Sequence, residues 1–351
     1  MSTSTTGPPN GEPTEGRTAG PGALQDRLAR GVVLGDGGYI IELERRGYVQ
    51  AGPFTPEVVV EHPDALRQLH TEFVRAGVDV LQALTFYADE AKLGPRWGPA
   101  FIEEVNRGAV RLARDAAGPD VLVSGVITLT GDFEPGDDVS AKRAQRSFAQ
   151  QIELQQDAGV DFVIGETFRY LSEARIALAA ILAAGATPVL TLNIGPSGSA
   201  DGTSVEECAR TLAGDGAAVI GCNCNWDPKV SLVVAGRMRA AVSTDVHIAC
   251  QPVGFATPDP AVPFTAIPEF PLALEGLQLS RAAFAGFATR AVEAGIGYVG
   301  GCCGVNAHHV RAMAEALGRR PAAADKSPAL DDHVLADVRN RASARYWQEI
   351  G

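Results

Sequence analysis

Eight short apolar runs, each followed by a stretch with helical periodicity, constrain the fold of this chain of 351 residues more than any other feature. The runs lie at 32–34, 78–82, 121–125, 162–166, 188–193, 218–220, 246–249 and 298–299. They are short and rich in Val, Ile and Leu, the signature of strands buried on both faces. Helical spacing fills the intervals, at 56–76, 100–117, 141–158, 172–184, 204–213, 229–241 and 279–294, and again after Asn306. Right-handed strand–helix–strand units repeated eight times close into a (β/α)8 TIM barrel, and an α/β fold of that kind is expected here. A doubly wound open sheet is the alternative. It is disfavoured because no GxGxxG opens a helix after the first run.

Hydrophobic residues make up 46% of the chain, enough for the large core such a barrel needs. A net charge of −12 argues against nucleic-acid partners or an anionic membrane surface. No apolar run approaches the roughly 20 residues of a membrane span, and the N-terminus lacks a basic-then-apolar leader, so a cytoplasmic protein is expected. Residues 1–23 are dominated by Ser, Thr, Gly, Pro and Glu, a composition that predicts disorder. The barrel should occupy 24–320. A Pro-rich excursion at 252–275 interrupts the repeat after the seventh run, where a long loop is usually functional or interfacial. Residues 321–351 form a further arm, with a helical stretch carrying Arg339, Arg341, Arg345, Tyr346 and Trp347. Either it packs on its own barrel or it lies on a partner subunit; the second reading implies a homo-oligomer, dimer or tetramer.

Barrels of this kind place their chemistry on the loops after the strands. The polar residues at those positions are Asp36, Gln82, Thr85, Ser124, Glu166, Asn193, Asn223, Cys224, Gln251, Cys302 and Cys303. Cys224 follows the sixth run and the adjacent pair Cys302 and Cys303 follows the eighth, so the three thiols can meet across the mouth. Six cysteines in a reducing compartment are too few for a disulfide scaffold, and a clustered set favours metal or catalysis. Three thiolates with a fourth tetrahedral position open describe a catalytic zinc, whereas a structural site is closed by four ligands. Cys222, two before Cys224, points the same way if the strand runs on, and is either a fourth ligand or a core thiol. Cys208 and Cys250 read as inert, and no histidine is well placed to ligate.

Three negative ligands make a 2+ ion a poor activator of water. They suit it instead to holding a fourth thiolate, lowering its pKa while leaving the sulfur nucleophilic. The chemistry implied is alkyl transfer to a thiol substrate. Asp36 and Glu166 can hold the ammonium of an amino-acid thiol, although either carboxylate also suits a loop or helix cap. Phe54, Phe86 and Tyr87, with Tyr39, form an aromatic group near the mouth. Aromatic faces attract quaternary ammonium or sulfonium cations, at roughly 0.5–2 kcal/mol per contact. Packing is the other reading of those rings.

These residues resemble the homocysteine S-methyltransferase family, and within it the betaine–homocysteine branch. The segments that carry the resemblance are Gly35-Asp-Gly-Gly38, Leu43-Glu-Arg-Arg-Gly-Tyr-Val49, Ala51-Gly-Pro-Phe-Thr-Pro56, Thr85-Phe-Tyr-Ala88, Ile220-Gly-Cys-Asn-Cys-Asn-Trp-Asp-Pro228, Pro268-Glu-Phe-Pro271 and Gly300-Gly-Cys-Cys-Gly304. The resemblance implies a barrel with zinc on Cys224, Cys302 and Cys303. It implies homocysteine held by Asp36, Gly37 and Glu166, a methyl donor near Phe54, Phe86 and Tyr87, and an oligomer built through the C-terminal arm. The activity implied is methyl transfer from betaine or a related onium donor to homocysteine. A sulfonium donor such as S-methylmethionine is the alternative, and a non-catalytic zinc-thiolate protein that binds a thiol amino acid is a further one. The chain departs from the betaine pattern at two places: Phe54 stands where those enzymes carry Trp, and Thr167 where they carry Tyr.

Overall fold

A computed structural model describes residues 22–50 and 55–326. Phe54, residues 1–21 of the segment 1–23 expected to be disordered, and the arm beyond residue 326 lie outside the described residues, whereas Ala23 opens a helix. The eight expected strands are present: β1 (Val33–Leu34), β2 (Val80–Gln82), β3 (Leu122–Thr128), β4 (Phe162–Phe168), β5 (Pro188–Leu192), β6 (Val219–Asn223), β7 (His247–Gln251) and β8 (Tyr298–Val299). All pair in parallel, in the order β1-β8-β7-β6-β5-β4-β3-β2. Before β2 come helices α1 (Ala23–Arg30), α2 (Ile40–Arg45), α3 (Val58–Glu61) and α4 (Pro63–Ala76). Then follow α5 (Glu90–Trp97), α6 (Pro99–Ala117), α7 (Asp138–Asp157), α8 (Leu171–Ala183) and α9 (Val205–Gly214). Helices α10 (Pro228–Ala241), α11 (Arg281–Glu293) and α12 (Ala307–Ala316) complete the ring. The arrangement is a (β/α)8 barrel.

Strands β1 and β2, at the two ends of that order, meet through side chains as well as backbone. The Asp79 N–H donates to the Leu34 carbonyl at 2.7 Å, and the Asp79 carboxylate accepts the Leu34 N–H at 2.8 Å. Higher on the same seam, the Asp36 carboxylate accepts the Gln82 N–H at 2.7 Å. A carboxylate that closes the barrel thus stands at its mouth. One apolar cluster, with Val33, Val80, Phe162, Ile164 and Tyr298, fills the barrel interior, and Leu24 and Leu28 of α1 join it. A larger cluster packs the sheet against the helices. Each large side chain so removed from water contributes roughly 1.5–3 kcal/mol.

Three local features differ from the sequence expectation. The helix expected over 56–76 breaks at His62, whose backbone (φ −139°, ψ 58°) leaves the helical region before Pro63. Proline crowds the preceding residue out of that region and starts a new helix at its own position. Helix α2 was not legible behind Gly35–Gly38. Helix α5 has Pro95 inside it, which reads as a breaker; its real signal is Asp89, which caps it by accepting the Lys92 N–H at 3.0 Å.

Helix α12 carries an unusual cap. His309 Nδ1 accepts the Asn306 N–H at 3.0 Å, and Nε2 lies 2.8 Å from the Leu279 carbonyl. The ring fills both roles only when neutral. Burial, with the charges of His308 and Arg281, lowers its pKa to about 4. A base depressed on folding contributes stability above its unfolded value, near 6.5, and that contribution is lost as pH falls toward 4. The expected result is a stability difference between wild type and His309→Gln that shrinks by roughly 3 kcal/mol between pH 7 and pH 4, measured by urea unfolding. A difference constant with pH would refute the neutral cap.

Candidate functional site

The C-terminal ends of five strands converge on one cavity. Gly37, Gly38 and Tyr39 line it after β1, Gln82 to Leu84 and Phe86 around the end of β2, Glu166 and Thr167 in β4, Cys224 after β6, and Gly301, Cys302 and Cys303 after β8. None of its lining residues is Lys or Arg. A broader depression of about 640 Å³ runs between α7 and α8, but it holds none of the polar groups at the strand ends. The chemistry therefore belongs to the mouth.

The sulfurs of Cys224, Cys302 and Cys303 lie within 4.8 Å of one another, and no other group of three potential metal ligands occurs among the described residues. Two loops bring them together. Strand β6 ends at Asn223, and the chain then turns through Cys224 (φ 61°) and Asn225 (φ 59°), both left-handed. Asparagine tolerates that conformation, but cysteine does not favour it. The turn is held by the Cys224 N–H on the Gln251 carbonyl (3.0 Å), the Trp226 N–H on the Cys224 carbonyl (2.7 Å) and the Phe264 N–H on the Asn225 carbonyl (2.8 Å). Strain of this kind persists where the surroundings over-determine it, as functional sites do. The second loop is tied to both neighbours. Cys302 N–H donates to the Pro252 carbonyl and Gly301 N–H to the Asp36 carbonyl, both at 2.8 Å. Gly37 and Gly38 permit this contact: a Cβ on Gly37 would lie 2.1 Å from the Val305 carbonyl, and one on Gly38 would lie 2.5 Å from that of Cys302.

The sulfur positions fit a metal ion. Tetrahedral zinc bonded at about 2.3 Å holds its sulfurs about 3.8 Å apart, so sulfurs within 4.8 Å of one another need close by at most about 1 Å. Hydrogen bonds from Cys224 and Cys302 draw the Cys303 thiol well below the usual range, while bonding to Cys302 and Cys303, together with burial, pushes Cys224 well above it. A bound cation would relieve that competition and favour all three thiolates. Cys222 does not join the cluster. The expectation that it points with Cys224 fails because the chain leaves strand geometry between them. Its sulfur is buried on the helix side, 3.5 Å from the Ser231 carbonyl and beside Cys250 in register.

Two carboxylates stand beside the sulfurs. Asp36 is fully buried; its Oδ2 accepts from Gln82 N–H and from the Tyr39 hydroxyl, while Oδ1 has no partner among the described residues. Burial raises its pKa to about 7 against those two hydrogen bonds. Glu166 is pushed well above the usual carboxylate range by burial, then by the charges of Cys302 and Asp36. Both acids thus feel each other and the thiols, in a cavity lined by no cationic side chain.

The sequence profile of the homocysteine S-methyltransferase family matches residues 33–317. The chain belongs to that family. It is 40% identical to betaine–homocysteine S-methyltransferase 1 of Pongo abelii, over 96% of this chain and 87% of the relative. It is 39% identical to S-methylmethionine–homocysteine S-methyltransferase of the same organism, over 94% of each. Among solved structures, the metallated form of the homocysteine methyltransferase MmuM from Escherichia coli superposes with a TM-score of 0.67 at 21% identity, over 83% of this chain and 97% of that one. That likeness supports the fold. Family membership makes the chain an S-methyltransferase with homocysteine as acceptor.

Of the aromatic residues expected to meet the family's methyl donor, Phe86 lines the cavity. Tyr87 (φ 64°) packs at 4.4 Å from Phe86, but its ring already carries the Lys92 ammonium at 4.7 Å. Tyr39 commits its hydroxyl to Asp36 and lies edge-on to His70 and Phe73. Two contributors were not assigned from sequence. Gln82 offers its backbone to Asp36, a role no side-chain pattern encodes. Asn223 had a visible signal, its place directly before Cys224, but its partners are 56 and 57 residues away.

Proposed function

We propose that this chain catalyses zinc-dependent methyl transfer from an onium donor, betaine or a close relative, to the thiol of homocysteine, giving methionine. The observation that carries the reading is a cavity whose lining combines three clustered sulfurs, a carboxylate at Glu166 and no cationic side chain, with the buried Asp36 carboxylate at its edge. Burial without a counter-charge holds both acids toward their protonated forms, so a cation arriving with what binds is what would ionise them. A divalent ion answers the sulfurs. An ammonium answers the carboxylates. A thiol amino acid brings the ammonium and a sulfur together.

Held by Cys224, Cys302 and Cys303, zinc would keep the acceptor sulfur as a thiolate at neutral pH without quenching its nucleophilicity. The protein's own residues do the positioning. Asp36 and Glu166 grip the acceptor's ammonium, with Gly37 lining the cavity beside them. The donor's onium group lies toward Phe86, with Phe54 and Tyr87 the other aromatic residues assigned to it. The sulfur lone pair forms the new S–CH₃ bond as the N–CH₃ bond breaks, and its electrons leave on a neutral amine. No general acid is required, so catalysis rests on alignment and thiolate activation. The barrel at 24–320 carries this chemistry. The arm at 321–351, a homo-oligomer built through it and a cytoplasmic location complete the proposal.

Thr167, in place of an aromatic ring, favours a second donor, a sulfonium such as S-methylmethionine, the donor named for one 39%-identical relative. The experiment is methionine formation by zinc-loaded protein with homocysteine and each donor in turn. Betaine should give methionine and dimethylglycine one for one. Turnover with S-methylmethionine alone would install the second donor. Tight homocysteine binding without methyl transfer from either would leave a non-catalytic thiol-binding protein and refute the assignment.

A further inference from the structure

Strand β4 is irregular where it supplies the site. Its register with β5 shifts between Gly165 and Phe168, and Thr167 sits at φ 67°. That conformation is an outlier for a β-branched residue, and a bulge of this kind re-aims the side chain beside it. Here the neighbour is Glu166. What holds the irregularity is a side chain from β6, two strands away. Asn223 is buried; its Oδ1 accepts the Thr167 N–H at 3.0 Å, and its Nδ2 donates to Thr167 Oγ1 at 2.8 Å and to Glu166 Oε2 at 3.3 Å. From the other side Thr128 Oγ1 donates to the Glu166 carbonyl at 3.0 Å. The polar capacity of the Asn223 amide is thus directed at residues 166 and 167, and the next residue in the chain is the candidate ligand Cys224.

We infer that Asn223 is a positioning residue for the acceptor: it fixes the bulge in β4 and aims the Glu166 carboxylate at the ammonium of the thiol amino acid. The inference rests on the reading that Glu166 grips that ammonium. Asparagine suits the task because one amide supplies both the acceptor for a peptide N–H and the donors for a hydroxyl and a carboxylate. Aspartate has no such donor and would repel Glu166.

The test compares two acceptors on the metal-loaded protein: homocysteine, and 4-mercaptobutanoate, which keeps the thiol and carboxylate but lacks the amine. Dissociation constants come from calorimetry and metal content from elemental analysis. Wild type should prefer homocysteine by about tenfold or more, the worth of a charge-assisted hydrogen bond. Asn223→Ala should cut that preference severalfold, leaving the share owed to Asp36, while 4-mercaptobutanoate affinity and metal per chain stay at wild-type values. Asn223→Ser replaces it should the alanine variant not fold. A variant that keeps the preference overturns the inference, and so does one that weakens both acceptors equally, since that is a structural loss alone. If wild type itself shows no preference, the Glu166 reading fails first, a result distinct from either.

Discussion

Cys224→Ala and Cys302→Ala will each lose bound metal and methyl transfer together. The cluster consists of three sulfurs within 4.8 Å, with no further potential ligand grouped with them among the described residues. Removing one leaves two thiols to hold an ion that wants four donors, against water and any chelator. Metal content after dialysis should fall from about one ion per chain to near none. kcat/KM should fall well beyond the 10–100-fold that loss of a supporting outer contact brings. Cys222→Ala is the internal control. Its sulfur faces the Ser231 carbonyl, so the variant should keep its metal at a modest cost in stability. Metal loss in Cys222→Ala, or full occupancy in Cys224→Ala, would show that the ligand set is wrong.

The contrast between Cys222 and Cys224 marks the limit of what sequence could deliver. The eight strands were legible because parallel strands buried on both faces are written in Val, Ile and Leu, and the strand ends then located the polar residues. The candidate ligands emerged from that placement. The direction of each sulfur did not. Two residues apart on a strand means one face, but the chain leaves β6 at Asn223 through a left-handed turn that cysteine does not advertise. The hydrogen bonds that impose the turn come from Gln251 and Phe264, far along the chain. The same holds for the bulge at Thr167, whose clasp is 56 residues away. Local propensity records neither, because tertiary contacts hold both against it. Tyr87 carries a contact that spacing does not announce: its ring, read as part of a cation box, has the Lys92 ammonium over it.

Asp36→Asn will bind homocysteine poorly and fold more stably than wild type. In the native protein Oδ2 closes the barrel seam on Gln82 N–H and Oδ1 lacks any partner among the described residues. An asparagine oxygen can keep the bond to Gln82, so the seam survives, but the group offered to the acceptor's ammonium is then an amide. Losing a charged hydrogen bond of about 1.5–3 kcal/mol raises the homocysteine KM roughly 10–150-fold, while the donor KM and the metal content stay put. Stability moves the other way. Burial lifts the Asp36 pKa from 3.8 to about 7, so the ionised form is disfavoured by folding. Folding favours the protonated acid; that advantage is full below about pH 4 and is lost as pH rises to about 7. Asparagine carries no such loss. Its advantage over aspartate, measured by urea unfolding of metal-free protein, should therefore grow between about pH 4 and pH 7, reach a few kcal/mol and level off above. Asp36→Ala separates the two effects: it also weakens homocysteine, but it orphans the Gln82 N–H and forfeits the gain. An Asp36→Asn protein no more stable than wild type at pH 8 would mean that the carboxylate is not held charged against its surroundings, and the cavity's demand for an ammonium would lose one of its two sources.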